Sequence, residues 1–495
     1  MTAVPTEATT EPDPRRWLAL AVIAVAQLIV VLDASIVNIA MPSAQEALGI
    51  SDVNRHWIVT AYALAFGALL LLGGRIADFI GRKRAFIIGL IGFGVASAIG
   101  GIAQTQVELF GARALQGAFA ALMAPAALSL ITVTFTEPKE RAKAFGVYGG
   151  ISGGGAAVGL ILGGALTEYA SWRWTLLVNT PIAFATAIAA VWLVRESRAE
   201  GKARYDIPGV ITSTLGLGAL VYGFTKASED GWSSATTISL LAAAVVLLIA
   251  FVVIEMKTAE PLLPPRVFTE RNRAASFLVS LLLGMALFGM FLFVVYYLQG
   301  TLGYSAVKSG LAFLPFSAGI IVGAGVASGF LPRVGPRPLM VGGTVLAALG
   351  MGLLTQIGFE DSYLNVVMPA EILMSIGMGL TFVALSSTAL VGVEARDAGV
   401  ASALVNTTQQ VGGSLGTALL NTIAATATAG YITANGVGQT GQGLVHGYSI
   451  AFWWSLGALI LAAVISLVLV TKQRPPEVAE GDETPFEKAE ELALL

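Results

Sequence analysis

The chain has 495 residues, of which 12% are charged and 56% hydrophobic, with a formal net charge of −3 and a mean hydropathy of +0.78. That balance excludes a water-soluble protein of this length. With no cysteine and only two histidines, His56 and His446, disulfides, thiolate catalysis, iron–sulfur clusters and cysteine-bound zinc are excluded too.

A bilayer core of about 30 Å needs roughly 20 apolar residues per helical crossing. Runs of this kind predict fourteen helices, over 17–40, 57–74, 85–103, 109–134, 144–166, 175–194, 208–224, 237–254, 274–300, 310–331, 339–357, 364–391, 399–422 and 448–470. The first run is too long for a signal-peptide core, so it reads as a retained helix. Connections are short. The longest are a Pro-rich segment over 255–273 and a Gly-rich loop over 430–447. The tail past Arg474 is acidic and reads as solvated.

Lysine and arginine divide unevenly between alternate loops. Arg55, Arg173, Lys226 and Lys308 fall on one side, Arg113 falls inside a span, and the rest of the 28 basic residues fall on the side of the termini. Since cytoplasmic loops carry the basic excess, both termini are expected in the cytoplasm of a multi-pass plasma-membrane protein.

An internal repeat adds topology. The loop from Gly74 through Asp78, Gly81, Arg82, Lys83 and Arg84 has an echo from Gly329 to Arg337, which places Gly81 on Gly335 at an offset of 254. Lys143 to Val147 matches Arg396 to Val400 at 253. The expected fold is an all-α integral membrane protein of 14 transmembrane helices: two six-helix repeats with an inserted two-helix hairpin. Its expected parts are a cytoplasmic N-terminus (1–16), a first bundle (17–194), a linker with the hairpin (195–273), a second bundle (274–470) and an acidic cytoplasmic tail (471–495).

Several segments carry a family resemblance. Leu32 to Pro42 (LDASIVNIAMP), the Gly74 to Arg84 loop, Arg113 to Gly117 (RALQG), the glycine-rich fifth helix, and Ser171 to Trp174 with Asn179 and Pro181 together resemble the fourteen-helix drug:proton antiporter branch of the major facilitator superfamily. The resemblance covers nearly the whole chain. It implies proton-coupled export of lipophilic drugs or other amphipathic compounds by alternating access, with protons as coupling ion, no other cofactor, and action as a monomer among membrane lipids. Leu160 stands where the branch usually has proline, which leaves a kink there open.

Ionised groups inside a span cost several kcal/mol unless paired or wetted, so Asp33, Arg113 and Glu371 stand out as proton-coupling candidates. An apolar surround favours the neutral acid at Asp33, and Arg113 or a bound cation favours the ionised one, so competition for one carboxylate is a basis for exchange. A fixed ion pair holding two helices together is the other reading of Asp33 and Arg113. Glu371 is either a second proton or cation site or a residue near the outer mouth that water reaches.

Gly74, Asp78, Gly81, Arg82 and Arg84 form the expected cytoplasmic gate, with Asp78 as latch; Pro332 replaces the aspartate in the second half. Gly155, Gly159, Gly163 and Gly164 carry the antiporter-like face, which also suits ordinary close packing. Asn38, Tyr62, Gln116, Asn179, Tyr296, Tyr297, Gln299, Asn406, Gln409 and Gln410 are the substrate-lining candidates; helix-to-helix hydrogen bonding explains any one of them equally well. With no phosphate-cradling GxxxxGK[ST] loop, neither a nucleotide-driven pump nor nucleotide binding is expected, and no feature suggests nucleic acid. With both histidines in loops away from the intramembrane acids, neither an enzyme nor a metal site is expected. An exporter of lipids or cell-envelope precursors on the same scaffold remains the competing function.

Overall fold

The computed structural model describes residues 14–135, 137–198, 206–258, 261, 263, 269–390 and 398–471. Residues 1–13, the echo residues Arg396 and Asp397 and the tail over 472–495 lie outside the described residues, as does the side chain of Asp78.

The first bundle comprises α1 (Arg16–Leu48), α2 (Trp57–Ile80), α3 (Arg82–Ile102), α4 (Gln106–Thr134), α5 (Pro138–Tyr169), α6 (Trp174–Leu177) and α7 (Asn179–Leu193). A hairpin of α8 (Ile207–Asp230) and α9 (Ala235–Lys257) follows. The second bundle comprises α10 (Arg271–Tyr296), α11 (Ala306–Ala312), α12 (Leu314–Val334), α13 (Pro336–Leu354), α14 (Met368–Leu390), α15 (Ala398–Asn435) and α16 (Thr440–Leu469).

Local chemistry sets these ends. Thr105 and Glu108 form a capping box at α4, and Asp206, Ser234 and Ser305 cap α8, α9 and α11 through their side-chain oxygens. Gly81 joins α2 to α3 at φ 108°, and Gly335 joins α12 to α13 at φ 74°. A Cβ is strained at either angle, so the two echo loops turn by the same device.

Four predicted helices are interrupted where a proline or a π-turn intervenes. The 175–194 run breaks at Val178 ahead of Pro181, and the 310–331 run breaks at Phe313 ahead of Pro315; proline cannot donate to the preceding turn. The 364–391 run opens with a π-turn, Tyr363–Val367, and a second π-turn, Tyr297–Thr301, follows α10. The 430–447 loop is a larger correction. It is mostly helical, because α15 continues to Asn435 and α16 already starts at Thr440. Gly443 sits against Ile432 and Gly447 against Ala424, so missing side chains let the two helices approach and stabilise each other past the apolar run. Helix α5 runs unbroken through Leu160.

Among the described residues, twelve spans are long and apolar enough to cross a membrane. The remaining long helices are α5, whose apolar stretch is Gly155–Tyr169, and the Thr- and Gly-rich α15, of 38 residues.

Two apolar clusters organise the packing, and their division is informative. One holds the ends of α1 to α4 nearest the termini (Ala19 to Ile29, Leu70, Ala77, Phe86, Leu130) and belongs to the first bundle alone. The other joins the far ends of that bundle (Ile36, Met41, Ile58, Leu109, Leu160) to the second bundle (Phe293, Phe313, Met374, Phe452). The bundles therefore share a core at the end opposite the termini, the distal end, and keep separate cores at the proximal end.

Candidate functional site

Asp33 lies midway along α1 and is fully buried. Its Oδ2 accepts from Arg113 Nη1 of α4 at 2.6 Å; its Oδ1 accepts from Gln116 Nε2 at 3.0 Å and from Asn179 Nδ2 of α7 at 2.9 Å. Arg113, 1% exposed, also donates from Nε to the Ile58 carbonyl of α2 at 3.0 Å and from Nη1 to Gln116 Oε1 at 2.9 Å, and its guanidinium lies 4.6 Å from the centre of the Tyr62 ring. Ser97 of α3 closes the set, accepting from Gln116 at 2.9 Å and Asn179 at 3.3 Å. Five helices, α1 to α4 and α7, thus contribute side chains to one network around a carboxylate–guanidinium pair.

Such a pair survives burial because its hydrogen bonds are filled, and removing one member leaves an uncompensated charge. Two atoms of the cluster remain unfilled, Tyr62 Oη and Asn179 Oδ1.

Glu371, near the start of α14, is also fully buried, which removes the reading of a water-washed residue in this arrangement. Its Oε2 lies 3.4 Å from Tyr363 Oη, whose proton is better placed on the Ala312 carbonyl at 2.6 Å, and its Oε1 has no partner. Among the described residues it has no ion pair.

The fifth-helix glycines lie against α1 beside Asp33. A Cβ on Gly159 would overlap Ser35 Oγ, one on Gly163 would meet the Ile36 carbonyl at 2.8 Å, and one on Gly155 would meet Leu28 at 3.0 Å. Gly164 instead faces the second bundle, against Ala306 and Val307.

In the 74–84 loop, Gly74 packs on Pro125 and Gly81 abuts the Glu196 carboxylate. Glu196 accepts from the Lys83 amide at 3.1 Å and lies 3.7 Å from Arg84 Nε, while the Arg82 amide donates to the Ser197 carbonyl at 2.9 Å. Nearby, the Arg16 guanidinium bonds Glu140 at 2.8 Å and holds its carboxyl below the usual carboxylate range, tying α1 to α5.

The remaining candidates disperse. Asn38 Nδ2 bonds the Ala34 carbonyl at 2.7 Å, Tyr297 Oη the Gly358 carbonyl at 2.8 Å, and Gln299 Nε2 the Ile39 carbonyl across the bundles at 3.0 Å. Asn406 is exposed, and Gln409 and Gln410 are partly exposed along α15, with Gln410 and Thr407 against Gly67 of α2.

Sequence reasoning missed the distal closure. Arg55, counted as a loop cation, is 4% exposed and bonds Asn421 Oδ1 of α15 at 3.2 Å. Asn421 Nδ2 returns bonds to the Asp52 and Val53 carbonyls at 2.9 Å, and Thr60 pairs with Thr417 at 2.6 Å. The α8 helix holds both sides, through Thr225 Oγ1 at 3.2 Å from His56 Nε2 and the Phe224 carbonyl at 2.8 Å from Thr422 Oγ1. No local sequence signal marks Arg55; only the repeat, by implying two facing bundles, hints that loops meet there.

The model of the Major Facilitator Superfamily matches residues 23–417. The chain is 51% identical to the puromycin resistance protein pur8 of Streptomyces alboniger, over 95% of each chain. It is 36% identical to the cephamycin export protein CmcT of Amycolatopsis lactamdurans, over 93% of this chain and 94% of that one. Among solved structures, it superposes with a TM-score of 0.65 on a bacterial homologue of the human lysosomal transporter Spinster, in an inward-facing and unoccupied conformation. That match has 16% identity and covers 92% of this chain and 97% of that one, a likeness of fold. The chain belongs to the major facilitator superfamily.

Proposed function

We propose that this chain is a membrane exporter that moves lipophilic, amphipathic drug-like compounds outward in exchange for protons by alternating access, with Asp33 as the principal proton carrier. The observation that carries the reading is the closed network around Asp33, in which a carboxylate and an arginine from different helices are fully enclosed beside an α1–α5 contact to which α5 contributes glycines. Intramembrane ionisable pairs of this kind mark proton paths. The relatives named for puromycin resistance and cephamycin export support antibiotic-like substrates and a role in resistance.

In this reading α5 and α15 cross the membrane with the twelve apolar spans, which makes fourteen crossings. The matched turns at Gly81 and Gly335 support two six-helix halves over 17–194 and 274–470, with α8 and α9 inserted between them. The basic excess puts the proximal end and both termini in the cytoplasm. The shared distal core then closes the outer side. Glu371 serves the second half as a further proton site, and the 74–84 loop gates the cytoplasmic side. The protein acts as a monomer in lipid; a groove of about 610 Å³ between α13 and α16, lined by Val345, Leu349, Trp453 and Ile460, suits an acyl chain.

Proteoliposomes with an imposed pH gradient test the proposal. Dyes and antibiotics should move against their gradients only while the proton gradient lasts. Transport of labelled lipids alone would favour the lipid exporter, and no proton-linked flux of any of these would overturn export.

A further inference from the structure

Arg55 closes the distal end in an unusual way for a salt-bridge former. Its guanidinium lies 4.0 Å from the centre of the Tyr296 ring and 5.6 Å from that of Tyr448, while Nε donates to Asn421 Oδ1. All three belong to the second bundle, and none carries a charge. Among the described residues the one carboxylate within ion-pair distance, Asp52 Oδ1 at 3.4 Å, sits on Arg55's own turn with its side chain 58% exposed. The second bundle therefore offers the cation two aromatic faces and an amide oxygen, the recognition chemistry of organic cations. One atom of this cage is unsatisfied: Tyr296 Oη is buried without a partner, so Arg55 fills the cage incompletely.

Separating the bundles at this end breaks Arg55–Asn421, the Asn421 bonds to the 52 and 53 carbonyls, and Thr60–Thr417. Arg55 then leaves with the first bundle, and Tyr296, Tyr448 and Asn421 stay behind as an emptied cation cage. We propose that this cage is an exit site for organic cations, and that Arg55 is a tethered cation which displaces the substrate from it as the distal gate closes. A tethered competitor on a short turn acts at an effective concentration of about millimolar. Closure thus clears the site and blocks re-entry by the same contact. The inference rests on the export reading above and adds a substrate class to it.

The test is equilibrium binding of tetraphenylphosphonium to the full-length protein in lipid nanodiscs without a pH gradient, with uncharged triphenylphosphine oxide as control. Arg55→Gln should tighten binding of the cation about tenfold and leave the neutral probe unchanged. Adding Tyr296→Leu should erase the gain, while Tyr296→Phe, which keeps the ring, should preserve it. Unchanged cation affinity in folded Arg55→Gln, or an equal gain for the neutral probe, overturns the proposal.

If Arg55→Gln does not fold, the absence of native cysteine allows spin labels on Val107→Cys and Val437→Cys, both exposed at the distal end. The cation should lengthen that distance in the otherwise wild-type chain and not with Tyr296→Leu; no lengthening overturns the proposal. Because no proton gradient enters either readout, failure here leaves the coupling role of Asp33 standing, and failure of gradient-driven export leaves the cage intact.

Discussion

Asp33 and Glu371 are both fully buried carboxyls, one in each bundle, and the protein surrounds them differently. Asp33 receives three hydrogen bonds, one from a guanidinium. Glu371 has one distant tyrosine hydroxyl, a bare Oε1 and, among the described residues, no cation. Ionised, Asp33 is fully compensated, whereas an ionised Glu371 has nothing to offset its desolvation. Burial alone does not define how an acid is used. In this conformation the Asp33 cluster shows the bonds for a charged carboxylate, and the surround of Glu371 does not.

The difference predicts unequal costs of mutation. Arg113→Ala strands a buried Asp33 carboxylate and should lower stability by about 3–5 kcal/mol, read as a loss in melting temperature in detergent. Asp33→Asn in the same chain should recover part of that loss, and no recovery would break the pairing argument.

Titration at the gate comes next and separates closure from coupling. Burial, reinforced by the Arg55 charge and opposed by the Val53 carbonyl, pushes the His56 imidazole down to about 4 from 6.5. The neutral ring is the docked form, so its contribution is intact above pH 6.5 and is lost as pH falls from there towards 4, about 3 kcal/mol in all. Hydrogen exchange over 221–229 should accelerate across that window, and His56→Gln should flatten the profile; an unchanged profile would contradict the assignment.

Gly159→Leu forces a side chain onto Ser35 beside Asp33 and should cost about 1–3 kcal/mol, while Ala at the exposed Gly457 should be nearly silent. The smallest effect falls on the other carboxyl. Glu371→Gln breaks no ion pair among the described residues, so it should cost far less stability than Arg113→Ala while lowering the number of protons moved per substrate. A loss as large as that of Arg113→Ala would erase the contrast between the two sites.

Much of the Asp33 cluster is legible in the sequence because charge inside an apolar run is expensive and therefore conspicuous. Asp33 and Arg113 show themselves this way, and Gln116 and Asn179 follow from the motifs around them. Ser97 and the Ile58 carbonyl do not, since hydroxyls and backbone groups are everywhere in helices and only packing selects these. Arg55 reads as an ordinary loop cation because its burial arises from two bundles meeting, which no local pattern encodes. The helices over 430–447 escape notice for a related reason: they persist by packing on each other through Gly443 and Gly447, beyond the apolar period. Gly81 and Gly335 lie at the opposite extreme, where a positive φ makes glycine readable at both repeats.

The most direct measurement compares wild type and Asp33→Asn in proteoliposomes under two regimes, uphill export driven by a pH gradient and substrate exchange at equal pH. The account predicts that Asp33→Asn loses gradient-driven export while retaining exchange, because binding and alternation survive without a proton carrier. Gradient-driven export at wild-type rates in Asp33→Asn would contradict it.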